Sequence, residues 1–215
     1  MYVKNWMSKK VVTIESGDSL SVAINTLKRN RIRRMPIMDG EKLVGIVSDR
    51  DLKEAAPSKA TSLDIWELHY LMSRIILKDL MTKNPLTISP NATIEKAAII
   101  MHDNKIGGLP VIEDDKLVGI ITEQDIFGAL IAITGARKTA QRLTVTIPDD
   151  PGEVKELCDL MRSYSFKCVS ILTSQMDVEE GFRQVLIRFQ ADESDIEKIL
   201  GDVKNKYNNA ELTVD

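Results

Sequence analysis

The segment Lys42-Leu43-Val44-Gly45-Ile46-Val47 returns later in the chain as Lys116-Leu117-Val118-Gly119-Ile120-Ile121, at an offset of 74 residues (Lys42 to Lys116). The same offset continues on both sides, where it pairs Met7 with Met81, Ala23 with Ala97, Asn30 with Asn104, Pro36 with Pro110 and Asp51 with Asp125. Self-similarity at a fixed spacing is the sequence signature of a repeated structural unit. Residues 1–134 are therefore predicted to contain two copies of one unit.

Each copy is predicted to have the element order β-α-β-β-α. Its first helix is amphipathic, with apolar residues at the i, i+3, i+4, i+7 spacing, and Ser19 or Thr93 stands where a capping residue is expected. We predict the first copy over residues 1–56, a helical connector that packs against the repeats over 57–76, and the second copy over 77–134. Trp66 in the connector is predicted to be a core or interface residue, because it lies in an apolar helical pattern.

Each copy ends in the motif G-h-h-[ST]-x-x-D, where h is apolar, from Gly45 to Asp51 and from Gly119 to Asp125. The carboxylate of this motif can accept both hydrogen bonds of a ribose diol, and the hydroxyl residue at the helix start favours a phosphate. The same spacing is also a capping box, which only satisfies the N–H groups of a helix start. We favour the binding role because the motif is duplicated in register with the whole unit.

These features resemble a CBS domain pair, also called a Bateman module. The resemblance covers the repeat length, the Met-x-x-x-[VP] start of each copy, the strand that carries Pro36 or Pro110, and both G-h-h-[ST]-x-x-D endings. It implies two clefts between the copies, which in this family often bind AMP, ADP, ATP or S-adenosylmethionine.

The resemblance also assigns residues to the two clefts. Asp51 and Asp125 would each hold a ribose, with Ser48 and Thr122 beside them, and adenine would lie against the start of the opposite copy. The cleft of Ser48 and Asp51 would then include Thr82, Asn84, Pro85, Leu86 and Ile106, and the cleft of Thr122 and Asp125 would include Ser8, Val11, Val12 and Ile32.

The copies differ just before the proline strand, where one carries two arginines and the other two glycines. In the CBS family, basic residues at this place often face phosphate, and an arginine fork suits phosphate geometry. We therefore expect asymmetric clefts: a phosphate-binding one with Arg33, Arg34, Ser48 and Asp51, and one that offers only room and backbone N–H groups, with Gly107, Gly108, Thr122 and Asp125. The alternative is that the arginines are a solvated pair at a strand start.

A different unit follows a polar linker at residues 135–141. Its hydrophobic periodicity predicts the ferredoxin-like order β-α-β-β-α-β over residues 142–215. Its first turn resembles the ACT domain, whose first strand ends in D-x-P-G-x-[LV], and ACT domains commonly bind amino acids at this turn between paired copies. The resemblance implies candidate ligand residues at Asp149, Asp150, Pro151 and Gly152. A domain that only dimerises is the alternative, since proline at a helix start and glycine in a turn are ordinary architecture.

The expected fold class is thus α+β and α/β, with tandem CBS motifs and a ferredoxin-like ACT domain. This order is similar to the acetoin utilization protein B family, which is associated with breakdown of acetoin or butanediol and with control of acetyl-CoA synthesis. We expect a homodimeric, non-catalytic sensor that binds AMP, ADP or ATP and acts on an unknown protein target. The alternatives are a sensor of S-adenosylmethionine and a structural dimerisation module with vestigial clefts.

Composition and motifs argue against other classes. The 215 residues carry a net charge of -3 without a basic stripe, so a nucleic-acid partner is not expected. No segment has the roughly 18 uninterrupted apolar residues of a membrane helix, and the N-terminus lacks a leader pattern, so we expect a cytoplasmic protein without membrane contact. His69 and His102 have no ligand-type spacing to each other or to a cysteine, so neither a metal site nor an enzyme is expected.

Overall fold

The structure is a computed structural model that describes residues 1–56, 64–207 and 209–214. It divides into two compact units, Met1–Phe127 and Gly128–Asp215. Within the described residues, no helix is long and apolar enough to cross a membrane.

The first unit repeats one series of elements. The first copy has a 3-10 turn (Val3–Asn5), β1 (Ile14–Glu15), α1 (Leu20–Asn30), β2 (Arg34–Asp39), β3 (Lys42–Ser48) and α2 (Asp49–Ala55). The connector contributes α3 (Ile65–Arg74) and the single turn α4 (Leu77–Leu80), and its residues 57–63 lie outside the described residues. The second copy has β4 (Thr82–Lys83), α5 (Ile94–Asn104), β5 (Gly108–Glu113), β6 (Lys116–Thr122) and α6 (Glu123–Thr134), which continues into the second unit.

The two copies exchange their first segments. Strand β3 of the first copy pairs antiparallel with β4 of the second, with Ile46 opposite Thr82. The reverse contact joins Ser8 to Ile120 of β6 through backbone hydrogen bonds of 2.9 and 3.0 Å. Both pairs are related by the offset of 74 residues, since Ser8 corresponds to Thr82 and Ile46 to Ile120. Each copy therefore supplies an edge to the sheet of the other.

The sheets of the two copies also match at their opposite edge. Ile14 of β1 lies parallel to β2 at Ile37, and Ile88 forms a parallel bridge to β5 at Val111. A register shift follows Ile37 in the first copy and Val111 in the second. The predicted order β-α-β-β-α is thus found in the first copy, and in the second copy a single bridge at Ile88 replaces the first strand.

The core of the first copy lies between its sheet and α1. Leu20, Ala23 and Leu27 of α1 are buried, together with Met35 and Ile37 of β2. The face of the helix that the sequence periodicity marks as apolar is therefore the face that packs on the sheet.

The predicted caps of the first helix in each copy are confirmed. The hydroxyl of Ser19 accepts a hydrogen bond from the Val22 N–H at 3.4 Å, and that of Thr93 accepts one from the Lys96 N–H at 3.2 Å. Each cap satisfies one of the N–H groups that a helix start leaves without an intrahelical partner.

The connector packs against the first copy, as predicted, through Met72 and Ile75. The prediction of a core position for Trp66 is wrong, because its side chain is 80% exposed. Nine residues separate Trp66 from Ile75, which is two and a half helical turns, so the two side chains lie on opposite faces. An interface role for Trp66 stays a prediction.

The second unit has the predicted order of elements. These are β7 (Gln141–Pro148), α7 (Glu153–Arg162), β8 (Phe166–Ser174), β9 (Phe182–Ala191), α8 (Glu193–Lys206) and β10 (Ala210–Val214). The strands form an antiparallel sheet in the order β10-β7-β9-β8. Alternate residues of β7 (Leu143, Val145 and Ile147) are buried in the core, where Leu157 and Met161 of α7 also lie. The order β-α-β-β-α-β is therefore confirmed, whereas the ACT assignment stays a prediction.

Two glycines are expected to be needed for the exchange of first segments. An added Cβ on Gly45 would lie 2.9 Å from Cγ of Met81, and one on Gly119 would lie 3.0 Å from Cγ of Met7. We expect Gly45→Ala and Gly119→Ala each to lower the free energy of unfolding by about 1–3 kcal/mol, because overpacking forces neighbours to shift. Gly17→Ala is the matched control, since nothing lies within 4 Å of its added Cβ. Urea denaturation measures the difference, and equal stability of Gly45→Ala and Gly17→Ala would contradict this packing.

Candidate functional site

A cavity of about 360 Å³ lies between the two copies of the repeat. The first copy contributes Ser8, Lys10, Val11, Val12, Arg31, Ile32, Arg33, Arg34 and Pro36 to its lining, and the second contributes Gly107, Ile120, Thr122, Glu123, Gln124 and Asp125. The exchange of first segments brings the two sides together, because Ser8 pairs with Ile120, two residues before Thr122. The structure thus gathers the residues that the sequence grouped with Thr122 and Asp125, and Gly108 lies beside them under the side chain of Arg34.

Asp125 caps the start of α6. Its Oδ2 accepts hydrogen bonds from the backbone N–H of Thr122 (2.8 Å) and from the Thr122 hydroxyl (2.7 Å). Asp51 does the same for α2, at 2.7 and 2.8 Å from the N–H and hydroxyl of Ser48. The capping role of the motif is therefore present in both copies. Oδ1 of each carboxylate has no hydrogen-bond partner among the described residues, so each cap leaves an acceptor for a further donor.

Arg34 joins the two copies at the cavity. Its backbone lies opposite Ser48 in the ladder of β2 and β3, whereas its guanidinium reaches over Gly107 and Gly108 of the second copy. An added Cβ would lie 2.6 Å from Nη1 of Arg34 at Gly107 and 2.7 Å from it at Gly108. The two glycines therefore leave the room that the guanidinium occupies. Within the described residues, Nη1 is buried and has no hydrogen-bond partner.

The sequence-based grouping of the two arginines is wrong. Arg33 and Arg34 line the cavity at the start of α6, and not a cleft with the start of α2. Their backbone does stay beside the first motif, since the Asp49 N–H donates to the Arg33 carbonyl at 2.8 Å. An arginine side chain is long enough to reach the other copy, so closeness in sequence fixed only where its main chain lies. The cleft that was expected to offer only room and backbone N–H groups is thus the one with the arginines.

The lining of the cavity carries more positive than negative charge. It contains four basic and two acidic residues: Lys10, Arg31, Arg33, Arg34, Glu123 and Asp125. Burial holds the pKa of Arg34 below its usual value, Glu123 offsets part of this lowering, and the charge of Arg33 adds to it. A guanidinium nevertheless stays protonated in proteins. The cavity is therefore suited to an anionic group.

The start of α2 has different surroundings. Thr82 pairs with Ile46, and the Asn84 N–H donates to the Val44 carbonyl at 3.3 Å, so both lie along β3, the strand that ends at Ser48. A depression beside α2 contains none of the residues expected in this cleft and is lined by Asp49, Arg50, Lys53 and Glu54. The place of Pro85, Leu86 and Ile106 in a cleft with Asp51 stays a prediction.

Sequence reasoning missed six lining residues: Lys10, Arg31, Pro36, Ile120, Glu123 and Gln124. One signal for Arg31 was available, because it and Lys105 occupy the same place in the two copies. Both end a helix in the left-handed region, with φ of 53° and 54°. Glu123 follows Thr122 at a position of the motif for which capping sets no residue type, so the pattern could not single it out.

The turn expected to bind an amino acid in the second unit is partly occupied by internal contacts. Arg183 donates to Oδ1 of Asp149, and Gln175 donates to Oδ2. These hydrogen bonds, that of Arg183 first, hold the pKa of Asp149 below its usual value. Asp149 therefore has less to offer a ligand than the sequence suggested.

The other three residues of this turn, Asp150, Pro151 and Gly152, are exposed. Gly152 has a φ of 102°, in the left-handed region that favours glycine. A cavity of about 560 Å³ in the same unit is bordered by Pro148 and Glu153, but none of the four expected residues lines it. The amino-acid site stays a prediction.

Within the part of the chain that the structure describes, no group of three or more His, Cys, Asp or Glu side chains is arranged to hold a metal ion. His102 is exposed on α5 beside Asp103, and the side chain of His69 lies outside the described residues. Cys158 and Cys168 are free thiols, and burial raises the pKa of each.

Residues 3–58 and 77–132 match the CBS domain family. The chain belongs to the CBS domain family. A CBS domain-containing protein of Dictyostelium discoideum is 34% identical over 139 residues, which are 61% of this chain and 92% of that protein. The inosine-5'-monophosphate dehydrogenase of Korarchaeum cryptofilum is 32% identical over 125 residues. This match spans 58% of the present chain but only 23% of the enzyme, so the CBS region is one part of a larger protein there.

Solved CBS structures are similar to this chain. The CBS domain pair of protein MJ0100, in complex with 5'-methylthioadenosine and S-adenosyl-L-methionine, is 29% identical with a TM-score of 0.51, over 60% of this chain and 99% of that one. A protein from Vibrio cholerae named for acetoin utilization (AcuB) is 33% identical with a TM-score of 0.52, over 64% and 95%. CBSX2 of Arabidopsis thaliana, in complex with AMP, is 28% identical with a TM-score of 0.53, over 61% and 97%.

Arg34 is expected to contribute little to the stability of the ligand-free CBS pair. Arg34→Met keeps most of the aliphatic chain and removes a buried donor without a partner, so the free energy of unfolding should stay the same or rise by roughly 1 kcal/mol. Ser48→Ala is the comparison, because the loss of that cap should lower stability by about 1 kcal/mol. Thermal unfolding without ligand distinguishes the two. A loss in Arg34→Met as large as in Ser48→Ala would mean that Arg34 serves the fold.

Proposed function

We propose that this CBS protein is a non-catalytic regulatory protein that binds an adenine nucleotide in the cleft of Thr122 and Asp125. The observation that carries the proposal is the guanidinium of Arg34, whose buried Nη1 has no partner among the described residues, in the wall of this cavity. A buried donor without a partner costs free energy, which a phosphate oxygen would recover. The start of α6 borders the same cavity, and the free N–H groups of a helix start favour an anion.

The remaining lining suits the other parts of a nucleotide. Oδ1 of Asp125 can accept hydrogen bonds from the ribose hydroxyls, because only Oδ2 serves the cap. Val11, Val12 and Ile32 provide apolar surface for a base. The volume of about 360 Å³ falls in the range of small-molecule pockets, roughly 300–1,000 Å³.

The solved relatives support this class of ligand. CBSX2 was solved with AMP, and the MJ0100 pair with 5'-methylthioadenosine and S-adenosyl-L-methionine. All three ligands contain an adenosine group. The excess of basic residues in the present cavity favours AMP, ADP or ATP, because S-adenosylmethionine has a cationic sulfonium where a nucleotide has phosphate. S-adenosylmethionine remains the alternative ligand.

A regulatory role is supported by where CBS regions are found. In the dehydrogenase relative the matched region is a small part of the enzyme, as expected for a module attached to a catalytic domain. The AcuB structure from Vibrio cholerae is the basis for proposing a link to acetoin metabolism. The protein target, an amino-acid ligand for the second unit and the cytoplasmic location stay predictions.

A structural dimerisation module is the second candidate function. Both caps are complete without a ligand, which a vestigial cleft would also show. Helix α6 leaves Phe127, Leu130 and Ile133 exposed, and among its residues only Ala129 is fully buried. A helix that is apolar on most sides usually packs against a partner. We therefore propose a homodimer under both candidate functions.

The nucleotide proposal is tested by calorimetry with AMP, ADP, ATP and S-adenosylmethionine, together with thermal unfolding. A ligand that binds only the native state must raise the unfolding temperature. We expect AMP to bind, and Asp125→Ala to weaken it at least tenfold, since the lost hydrogen bonds to the ribose amount to about 1.4 kcal/mol or more.

The matched control is Asp51→Ala, which removes the same cap from the other copy. It should leave the affinity of the Thr122 and Asp125 cleft within about twofold, well below the tenfold step of 1.4 kcal/mol. The proposal fails if no adenine nucleotide binds at millimolar concentration. It also fails if Asp51→Ala weakens AMP more than Asp125→Ala does.

A further inference from the structure

Glu123 is the one acidic residue in the cavity that serves no cap there. It is the first residue of α6, and its Oε2 would lie 2.7 Å from a Cβ added to Gly107. Nη1 of Arg34 would lie 2.6 Å from the same point. The carboxylate and the guanidinium therefore border one space at the side of the cavity. Nη1 nevertheless keeps no hydrogen-bond partner among the described residues, so Glu123 does not satisfy it.

The equivalent residue in the first copy has a different environment. An offset of 74 residues relates Glu123 to Asp49, and Phe127 to Lys53. Lys53 and Asp49 form an ion pair of 3.0 Å along α2. Because Phe127 stands where Lys53 would be, Glu123 has no cation one turn further along its own helix. Its charge acts on Arg34 instead, where it counters the effect of burial on the pKa of the guanidinium.

We propose that Glu123 limits how much negative charge this cleft accepts. The proposal rests on the function proposed above and deepens it, because it concerns the phosphate end of the same site. A phosphate that reaches Arg34 must share the space with the carboxylate of Glu123, and like charges at such separations repel. The repulsion grows with the charge of the ligand. It is absent for adenosine, present for AMP and larger for ATP.

Glu123→Gln tests the proposal, because it removes the charge and keeps the size of the side chain. We expect the affinity for AMP to rise roughly tenfold, as for one repulsive pair of about 1.4 kcal/mol. The gain for ATP should exceed the gain for AMP, and adenosine should change by less than about twofold. Asp49→Asn is the matched control at the equivalent position, and it should leave all three affinities unchanged. Calorimetry on the full chain measures each pair.

Pyrophosphate is measured beside the nucleotides, so that failure of the proposed function can be told from failure of this proposal. If no nucleotide binds but pyrophosphate binds Glu123→Gln more tightly than the native protein, the nucleotide function fails and the role of Glu123 holds. If Glu123→Gln gains affinity for no anion, or gains equally for adenosine and AMP, the proposal is overturned. Glu123→Ala serves as a second variant, and thermal unfolding checks that both fold.

Discussion

The packing of each first segment on the other copy is the constraint on which the site depends. Met7 lies against Gly119, and Met81 lies against Gly45, at distances that leave no room for a Cβ. This contact brings Ser8 beside β6 and thereby places one side of the cavity opposite the other. A single copy has half of each cleft. The ligand site is therefore a property of the pair, which explains why a motif that looks like an ordinary cap in isolation acquires a possible second role.

The asymmetry of the pair follows from the space beside the exchanged strands. The guanidinium of Arg34 fills the volume that Gly107 and Gly108 leave open, so an arginine pair in one copy is compatible with glycines in the other. Its main chain belongs to the sheet of the first motif, and its charged end belongs to the second. One residue thus connects the two helix starts, and the charge of the cleft depends on both copies.

The sequence predicted the parts of the structure that depend on local pattern. The offset of 74 residues reappears in the strand register, and Ser19 and Thr93 cap their helices because short hydroxyl side chains at a helix start satisfy free N–H groups. Two expectations failed for one reason, which is that sequence position does not fix where a side chain ends. Arg34 reaches the other copy, and Trp66 points away from the face of α3 that packs. The pairing of Asp149 with Arg183 required long-range contacts that no local pattern contains.

The central claim is that the arginine pair decides which cleft binds phosphate. It is tested most directly by exchanging the two pairs in one variant, with Arg33→Gly, Arg34→Gly, Gly107→Arg and Gly108→Arg. The measurement is the ratio of AMP to adenosine affinity in this variant, alone and combined with Asp51→Ala or Asp125→Ala. The account predicts that the preference for AMP is now lost with Asp51→Ala and kept with Asp125→Ala. A preference that still depends on Asp125 would contradict it.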